Sequence, residues 1–419
     1  YYNAFDEGMS KNVTVTNYDM IFGLTFKRNR ENSNFFERNI AICDEGHVLE
    51  DKIVAQASFV ISPKSFFEKH NISMCEDVDL SQYDDFEKIE FLRELTKKLI
   101  VRAEQYHNEA TELPKSIDAN GVSTQVSVQE KILLNKKRAL QNHINRINNY
   151  LDTCDSENWI LHTEKRDENS ALIITPIYAD EYFTNAIEKI ASKVFILSAS
   201  LGDPYTMIKE LGLDESNVCH IDVDTPFEPE KSMVYCNPVL KLGYKDIDFN
   251  RDVITDIIDD ILDSYSEDKG IIHSGNYKIT NFIAQDSKHK DRFLWKSSES
   301  NLDNSDLYNL HCVSEKPTVL LSPSMHTGID LKGDLAEFQI IVKMPYANMK
   351  DPRVKKKMEL DEDWYVNQTW NKIIQACGRA TRSEDDESVT FILDKAVKFS
   401  YYKYKKNLPK WFKNRIEFI

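Results

Sequence analysis

Short runs of branched and aromatic apolar residues, each stopped by a polar or glycine-bearing turn, constrain the fold of this chain more than any other feature. From about residue 228 they are Gly270-Ile271-Ile272, Val319-Leu320-Leu321, Gln339-Ile340-Ile341-Val342 and Val389-Thr390-Phe391-Ile392-Leu393. Stretches with helical spacing lie between them, for instance around 253–265 and 364–377. Near-continuous apolar runs predict strands buried on both faces, and strand–helix–strand alternation predicts a parallel sheet. The opening of the chain repeats the signature. Asn39-Ile40-Ala41-Ile42-Cys43 stops at Asp44-Glu45, which predicts a buried parallel strand with acidic residues at its carboxyl end. Strand signals return at Ala171-Leu172-Ile173-Ile174 and at Val194-Phe195-Ile196-Leu197, the latter running into Ser198-Ala199-Ser200. The expected class is α/β with two parallel sheets. At 419 residues, two to four domains are expected.

Between about 62 and 152 the pattern changes. Ile89, Leu92, Leu95 and Leu99 recur at helical spacing, a polar stretch follows around Pro114 to Gly121, and Leu133, Leu140, Ile144, Ile147 and Leu151 repeat the pattern. Two amphipathic segments around one loop predict an antiparallel helical hairpin. Its second half carries Lys131, Lys136, Lys137, Arg138 and Arg146, either a solvated face or a contact for DNA. The net charge of −16 excludes attachment to nucleic acid by bulk charge and leaves room for a local basic groove. Seven scattered Cys without a C-x-x-C pair argue against a zinc ribbon and a disulfide framework, and point to a reducing compartment. No apolar run approaches the roughly 18 residues of a membrane helix.

Several segments carry chemistry. At the end of a strand, where open α/β sheets bind ligands, Asp44 can hold Mg²⁺ through water while Glu45 orients or deprotonates an attacking water. Phosphoanhydride hydrolysis requires both tasks side by side. An acidic strand-to-helix turn is the plainer alternative. Asp44-Glu45-Gly46-His47 is not a zincin signature, which needs two His one helical turn apart. The hydroxyls of Ser198 and Ser200 could bridge a phosphate site and a neighbouring groove, or simply end a strand. Gly328-Ile329-Asp330, with Gly333 and Asp334 beyond, could bring backbone close to a phosphate chain, or form a plain turn.

The most specific segment is Gln375-Ala376-Cys377-Gly378-Arg379-Ala380-Thr381-Arg382. Spacings of four and three would put Gln375, Arg379 and Arg382 on one helix face, where an amide and two guanidinium groups can grip phosphate oxygens. At the C-terminus, Lys403, Lys405, Lys406 and Trp411 stand in a stretch mixing basic and aromatic residues. That mixture suits single-stranded nucleic acid, where charge follows the backbone and rings stack on bases. An amphipathic closing helix is the alternative.

In this order the segments resemble the helicases of superfamily 2, in the DinG/XPD-like branch related to the DEAH-box proteins. Asp44-Glu45-Gly46-His47 is similar to the DEAH box, with Gly46 for Ala, and Ser198-Ala199-Ser200-Leu201 to S-A-T-L, with Ser200 for Thr. Thr327-Gly328-Ile329-Asp330-Leu331-Lys332-Gly333-Asp334 resembles E-G-I-D-x-x-G-D, with Thr327 for Glu. Gln375 to Arg382 resembles Q-x-x-G-R-x-x-R, and Ser383-Glu384-Asp385-Asp386 leans toward the bacterial DinG side. Asn17-Tyr18, Thr225-Pro226-Phe227, Met344-Pro345-Tyr346 and Asp351-Pro352 are fainter echoes.

The resemblance implies two RecA-like motor lobes with a helical, arch-like insertion in the first. The first lobe would take 1–60 and 153–227, the insertion 61–152, and the second lobe 228–419. ATP would lie between the lobes. Asp44 would hold Mg²⁺ through water, Glu45 would serve the attacking water, and Gln375, Arg379 and Arg382 would reach the γ-phosphate. His47, Ser198, Ser200, Gly328 and Asp330 would couple nucleotide state to DNA. The implied activity is ATP-dependent 5′→3′ translocation on single-stranded DNA, with unwinding of forked or tailed duplexes and, as a further candidate, RNA–DNA hybrids. A monomer in the cytoplasm of a bacterium or phage-infected cell is expected, with no membrane partner.

Two departures stand out. No G-x-x-x-x-G-K-[ST] occurs, although the phosphate-cradling loop is indispensable to this chemistry. Tyr1-Tyr2-Asn3-Ala4-Phe5 resembles the stretch just after the family's last iron–sulfur cysteine, so an N-terminal segment is expected to be missing from this sequence and ATP binding by this chain alone to be poor. No four-Cys set is present, so no iron–sulfur cluster is expected on this chain. The rival expectation is a degenerate motor remnant that binds nucleic acid or a partner without turning over ATP. Retention of Arg379 and Arg382 favours the enzyme.

Overall fold

The computed structural model describes the chain apart from residues 1–7, 9–10, 28–37, 114–115, 118–122, 126–127, 155–157, 167–168, 185–186, 188–189, 226, 244, 298–301, 324–328 and 382–384. Gly328 and Arg382, with Tyr1 to Phe5, Pro226, Thr327, Ser383 and Glu384, thus lie outside the described residues. The chain divides into two compact units, one of residues 1–196 and 210–213, the other of 197–209 and 214–419.

In the first unit, helix α1 (Tyr18–Lys27) precedes strand β1 (Arg38–Cys43), helix α2 (Leu49–Ala57), strand β2 (Phe59–Ile61) and helix α3 (Pro63–His70). The long helices α4 (Asp85–Thr111) and α5 (Val128–Thr153) follow, with the short strands β3 (Ser116–Ile117) and β4 (Ser123–Gln125) between them. Strands β5 (Trp159–Arg166) and β6 (Asn169–Pro176), helix α6 (Asp180–Phe183) and strand β7 (Ala191–Ile196) complete it. β1 and β7 pair in parallel, Ile42 opposite Phe195 and Cys43 opposite Ile196. The parallel strand expected at 39–43 is present, but its burial is one-sided. Cys43 is buried, whereas Ile40 is 52%, Ile42 68% and Phe195 50% exposed. Alternation along a strand puts these three on one face, and nothing among the described residues covers it.

The helical hairpin forms as its spacing requires. α4 opens on a capping box, Asp84 accepting from the Glu87 backbone and Glu87 from that of Asp84. It buries Leu92, Leu95 and Leu99 against Leu140, Ile144 and Ile147 of α5, while Ile89, Leu133 and Leu151 are partly buried beside them. Phe59, Ile61, Leu172 and Ile174 join the same core. They come from an antiparallel sheet in the order β2-β6-β5, with Phe59 opposite Ile174. Only two residues separate β5 from β6, a connection that antiparallel strands allow and parallel ones do not.

The second unit contains a seven-stranded, all-parallel sheet. Its elements are helix α7 (Pro204–Leu211), which spans the unit boundary, β8 (Val234–Leu240), α8 (Arg251–Ser264), β9 (Gly270–His273), α9 (Tyr277–Asp286), β10 (Phe293–Trp295), α10 (Asn304–Val313), β11 (Val319–Ser322), β12 (Phe338–Ile341), α11 (Pro352–Leu360), α12 (Glu362–Cys377), β13 (Val389–Asp394), α13 (Ala396–Tyr404), α14 (Lys410–Lys413) and β14 (Ile416–Phe418). The strand order is β10-β11-β9-β12-β13-β8-β14. All four strands expected from apolar runs are in it, covered on both faces. Ile254, Ile258 and Ile283 close one side over Ile272 and Ile340. Trp370, Ile373 and Phe412 close the other over Val234 and Ile392. Gly270 lies opposite Phe338, whose ring would meet a Cβ there at 2.4 Å. The basic, aromatic C-terminus is not a single closing helix. It breaks at Pro409, and its last residues pair with β8 as an edge strand.

Candidate functional site

At the end of β1 the chain turns sharply. The Tyr18 hydroxyl donates to the Asp44 carbonyl at 2.6 Å, and the Glu45 amide donates to Asp44 Oδ1 at 2.9 Å. Glu45 takes the left-handed conformation, φ 51° and ψ 46°, which costs a non-glycine residue roughly 1–2 kcal/mol. A single 3₁₀ turn, Gly46–Val48, then leads into α2. His47 Nδ1 lies 3.3 Å from Glu45 Oε2. Both carboxylates face solvent, while burial pushes the Cys43 thiol behind them up to about 11. Two exposed carboxylates at a strand end are hard oxygen donors, suited to Mg²⁺ and its water shell.

In the second unit, α12 is capped by Asp361, whose Oδ1 accepts from the Trp364 amide at 2.9 Å. It ends at Cys377, where Gly378 donates its amide to the Ile374 carbonyl. The expected single helical face is therefore broken. Gln375 is on the helix, but Arg379 sits in the turn beyond it, because glycine disfavours helix continuation. The break lets the turn reach another segment. Arg379 Nη1 donates to the Ile329 carbonyl, and the Leu331 amide donates back to the Arg379 carbonyl, each at 3.3 Å. The Asp330 carbonyl accepts from the Tyr308 hydroxyl at 2.6 Å, and Asp386 Oδ1 accepts from the Gly333 amide at 3.2 Å.

The helix also contacts the serine segment. Gln375 Nε2 donates to Ser200 Oγ at 3.3 Å, and Ser198 Oγ accepts from the Ser200 amide at 3.1 Å. Ser198, Ser200, Gln375, Arg379 and Asp330, chosen from three separate stretches of sequence, are thus linked within one unit. At the end of β13, Asp394 accepts from the Met344 and Ala396 amides, each at 3.0 Å, and burial raises its pKa despite these donors.

Sequence reasoning missed three residues that hold this arrangement. Tyr308 fixes the Asp330 loop. Gly202, at φ 72°, lets the serine loop lie against α12, where a Cβ would stand 2.0 Å from Asn367 Oδ1. Asn367 is buried, and its Oδ1 has no hydrogen-bond partner among the described residues. In a chain with only 12 glycines, one directly after a serine motif was the available signal.

The other basic candidates divide. Lys403 pairs with Glu362 at 2.7 Å, Lys405 lies 5.2 Å over the Tyr402 ring, and Lys406 is exposed. Trp411 is half-buried against Phe412, with the Arg415 guanidinium 4.9 Å over its ring. On α5, Lys131, Lys136 and Arg138 are exposed, while Arg146 turns inward to the carbonyls of Gln56 and Ser58.

Comparison with known proteins bears on the fold and the family. Residues 264–415 match the helicase C-terminal domain family. The ATP-dependent DNA helicase DinG of Photobacterium profundum is 23% identical over an alignment of 259 residues, covering 57% of this chain and 37% of that protein. The chain thus matches little more than a third of that relative's length. Among solved structures, S. tokodaii Xpd4 superposes with a TM-score of 0.53 at 16% identity, covering 98% of this chain and 83% of that one. An XPD helicase gives a TM-score of 0.47 at 18% identity over 94% and 71% of the two chains. The resemblance read from the motifs is borne out: the chain is similar to the DinG/XPD-like helicases of superfamily 2, and it has a RecA-like α/β fold.

Proposed function

We propose that the chain is the motor of an ATP-dependent DNA helicase that moves 5′→3′ along a single strand and separates forked or tailed duplexes, with RNA–DNA hybrids as a further substrate. The observation that carries this reading is that one stretch, the end of α12 and the turn after it, bonds both motifs: Gln375 to Ser200, and Arg379 to Ile329 and Leu331. A motor must transmit the state of its nucleotide to the surface that grips the strand, and a polar network between motifs suits that task.

The donors fit Mg²⁺ and ATP by their chemistry: two solvent-facing carboxylates on one unit, and an amide with a guanidinium on the other. Bound Mg–ATP would supply the phosphoanhydride whose hydrolysis drives movement. Asp44 would hold the metal ion through water. Glu45 would accept the proton of the attacking water at its carboxylate, with His47 orienting that carboxylate. Gln375, Arg379 and Arg382 would bind terminal phosphate oxygens as charge-assisted donors. Ser200, bonded to Gln375, would carry changes at the phosphate toward the DNA. The motor acts as a monomer in this reading.

The test uses the whole protein. Duplexes with a 5′ single-stranded tail should be unwound and those with a 3′ tail should not. Glu45→Gln should lower DNA-stimulated ATP turnover at least a hundredfold while sparing DNA binding. Unchanged turnover would reject the role of Glu45. DNA binding with no turnover in the unaltered protein would favour the motor remnant instead.

A further inference from the structure

We propose that a cavity at the root of the helical hairpin binds a single nucleobase. The cavity has a volume of about 440 Å³, in the range of small-molecule sites. One wall is a face of α5 bearing Asn142, His143, Asn145, Arg146 and Asn149. Gln56, Phe59, Trp159 and Tyr182 also line it. The Trp159 and Tyr182 rings meet edge to face, 6.2 Å between centroids.

The lining selects its ligand. No carboxylate contributes to it, so it does not recruit a cation. Its one guanidinium, on Arg146, already donates to the Ser58 and Gln56 carbonyls, at 3.4 and 3.3 Å. That engagement disfavours a buried phosphate. What remains is a set of carboxamides beside an aromatic pair. Carboxamides donate and accept side by side, as the edge of a base does, and aromatic rings receive its flat face. His143 turns to the back of this wall, its ring edge to face with Phe66 at 5.0 Å between centroids. Desolvation first, then Arg146 and Lys69, lower the His143 pKa, so the imidazole adds no positive charge to the lining. Arg138, exposed on the same helix one turn from Asn142, is available to the phosphates of a strand whose base enters here. The base could also belong to a free nucleoside.

The test is fluorescence of 2-aminopurine, offered in the middle of an oligothymidylate and as the free riboside, to the whole protein without ATP. Motor activity does not enter this measurement, so its failure is separate from that of the helicase reading. Wild-type protein should quench the probe, and Asn142→Leu with Asn149→Leu should weaken that binding at least tenfold. Both substituted residues are exposed and keep their size, and an unchanged circular dichroism spectrum and melting transition would establish that the variant folds. Ala139→Phe, which places a ring in the lining while leaving every polar group present, should have the same effect. Quenching of the oligonucleotide alone identifies a base of a strand, and quenching of both probes extends the site to free nucleosides. No quenching by wild-type protein, or full quenching by both variants, overturns the proposal.

Discussion

Replacement of Gly202 by alanine tests how the serine loop is seated. The residue has φ 72°, and an added methyl would stand 2.0 Å from Asn367 Oδ1 and 2.8 Å from its Cγ and Nδ2. Two costs follow. Holding alanine in the left-handed region costs roughly 1–2 kcal/mol. Relieving the overlap means moving a buried carboxamide on α12, and overpacking of this kind typically costs about 1–3 kcal/mol. Together they amount to roughly 2–5 kcal/mol. Four of the five tryptophans, Trp295, Trp364, Trp370 and Trp411, belong to the second unit, so its unfolding in urea can be followed by their emission. Gly202→Ala should lower the midpoint. The overlap and the backbone strain separate in a double-mutant cycle. Asn367→Ala removes the obstructing carboxamide, so the alanine at 202 should then cost only the backbone part, with a coupling of about 1–3 kcal/mol. A Gly202→Ala variant as stable as wild type, or one whose loss is the same with and without Asn367, would refute the close approach.

Other outcomes can be checked more briefly. The Glu337 carboxyl is pushed up to about 7, chiefly by a hydrogen bond shared with Asp268, then by burial and the charges of Asp268, Asp334 and Glu387. The folded chain therefore holds a proton there that the unfolded chain has already released, so this group's contribution should fade as pH rises from about 4.5 to 7. Glu337→Gln should flatten that decline in a urea titration series, and an unchanged pH profile would remove Glu337 as its source. Removing the chain beyond Lys395 would strip β14 from the sheet and Phe412 from the core, so the basic tail is better tested by Lys405→Ala with Lys406→Ala. For every lysine that neutralises a phosphate, its replacement should flatten the dependence of single-strand affinity on log salt by about one unit, and an unaltered slope would show that neither lysine touches the strand.

Features governed by local spacing were legible in the chain. The four apolar runs of the second unit became parallel strands, and the recurrence from Leu92 to Ile147 became a packed hairpin. Features decided by distant partners were not. Ala171 to Ile174 looks like any other strand, and its antiparallel pairing depends on where β2 and β5 lie. Nothing local distinguishes Ile40 and Ile42 from residues buried on both faces, since exposure is set by what covers the sheet. The site divides in the same way. Asp44, Ser200, Gln375 and Arg379 stand out by residue type and order. Tyr308 and Asn367 do not, because each acts through one contact with a segment remote in sequence. The arginine segment departs from the expected single helix at Gly378, which ends α12 and leaves Arg379 in a turn.

The meeting of β2 with β6 bears on the order in which the first unit assembles. For β1 to find β7 directly, the chain must close a loop of about 150 residues, whose entropy grows with the logarithm of its length. Phe59 and Ile174 already stand side by side once the hairpin body has formed, and its core draws only on residues between them. That body then acts as a staple. The flexible length left to close falls to about 30 residues, saving roughly 1.4 kcal/mol. The inserted helices, whatever they touch in the finished protein, thus also shorten the search by which the parallel strands on either side of them find each other.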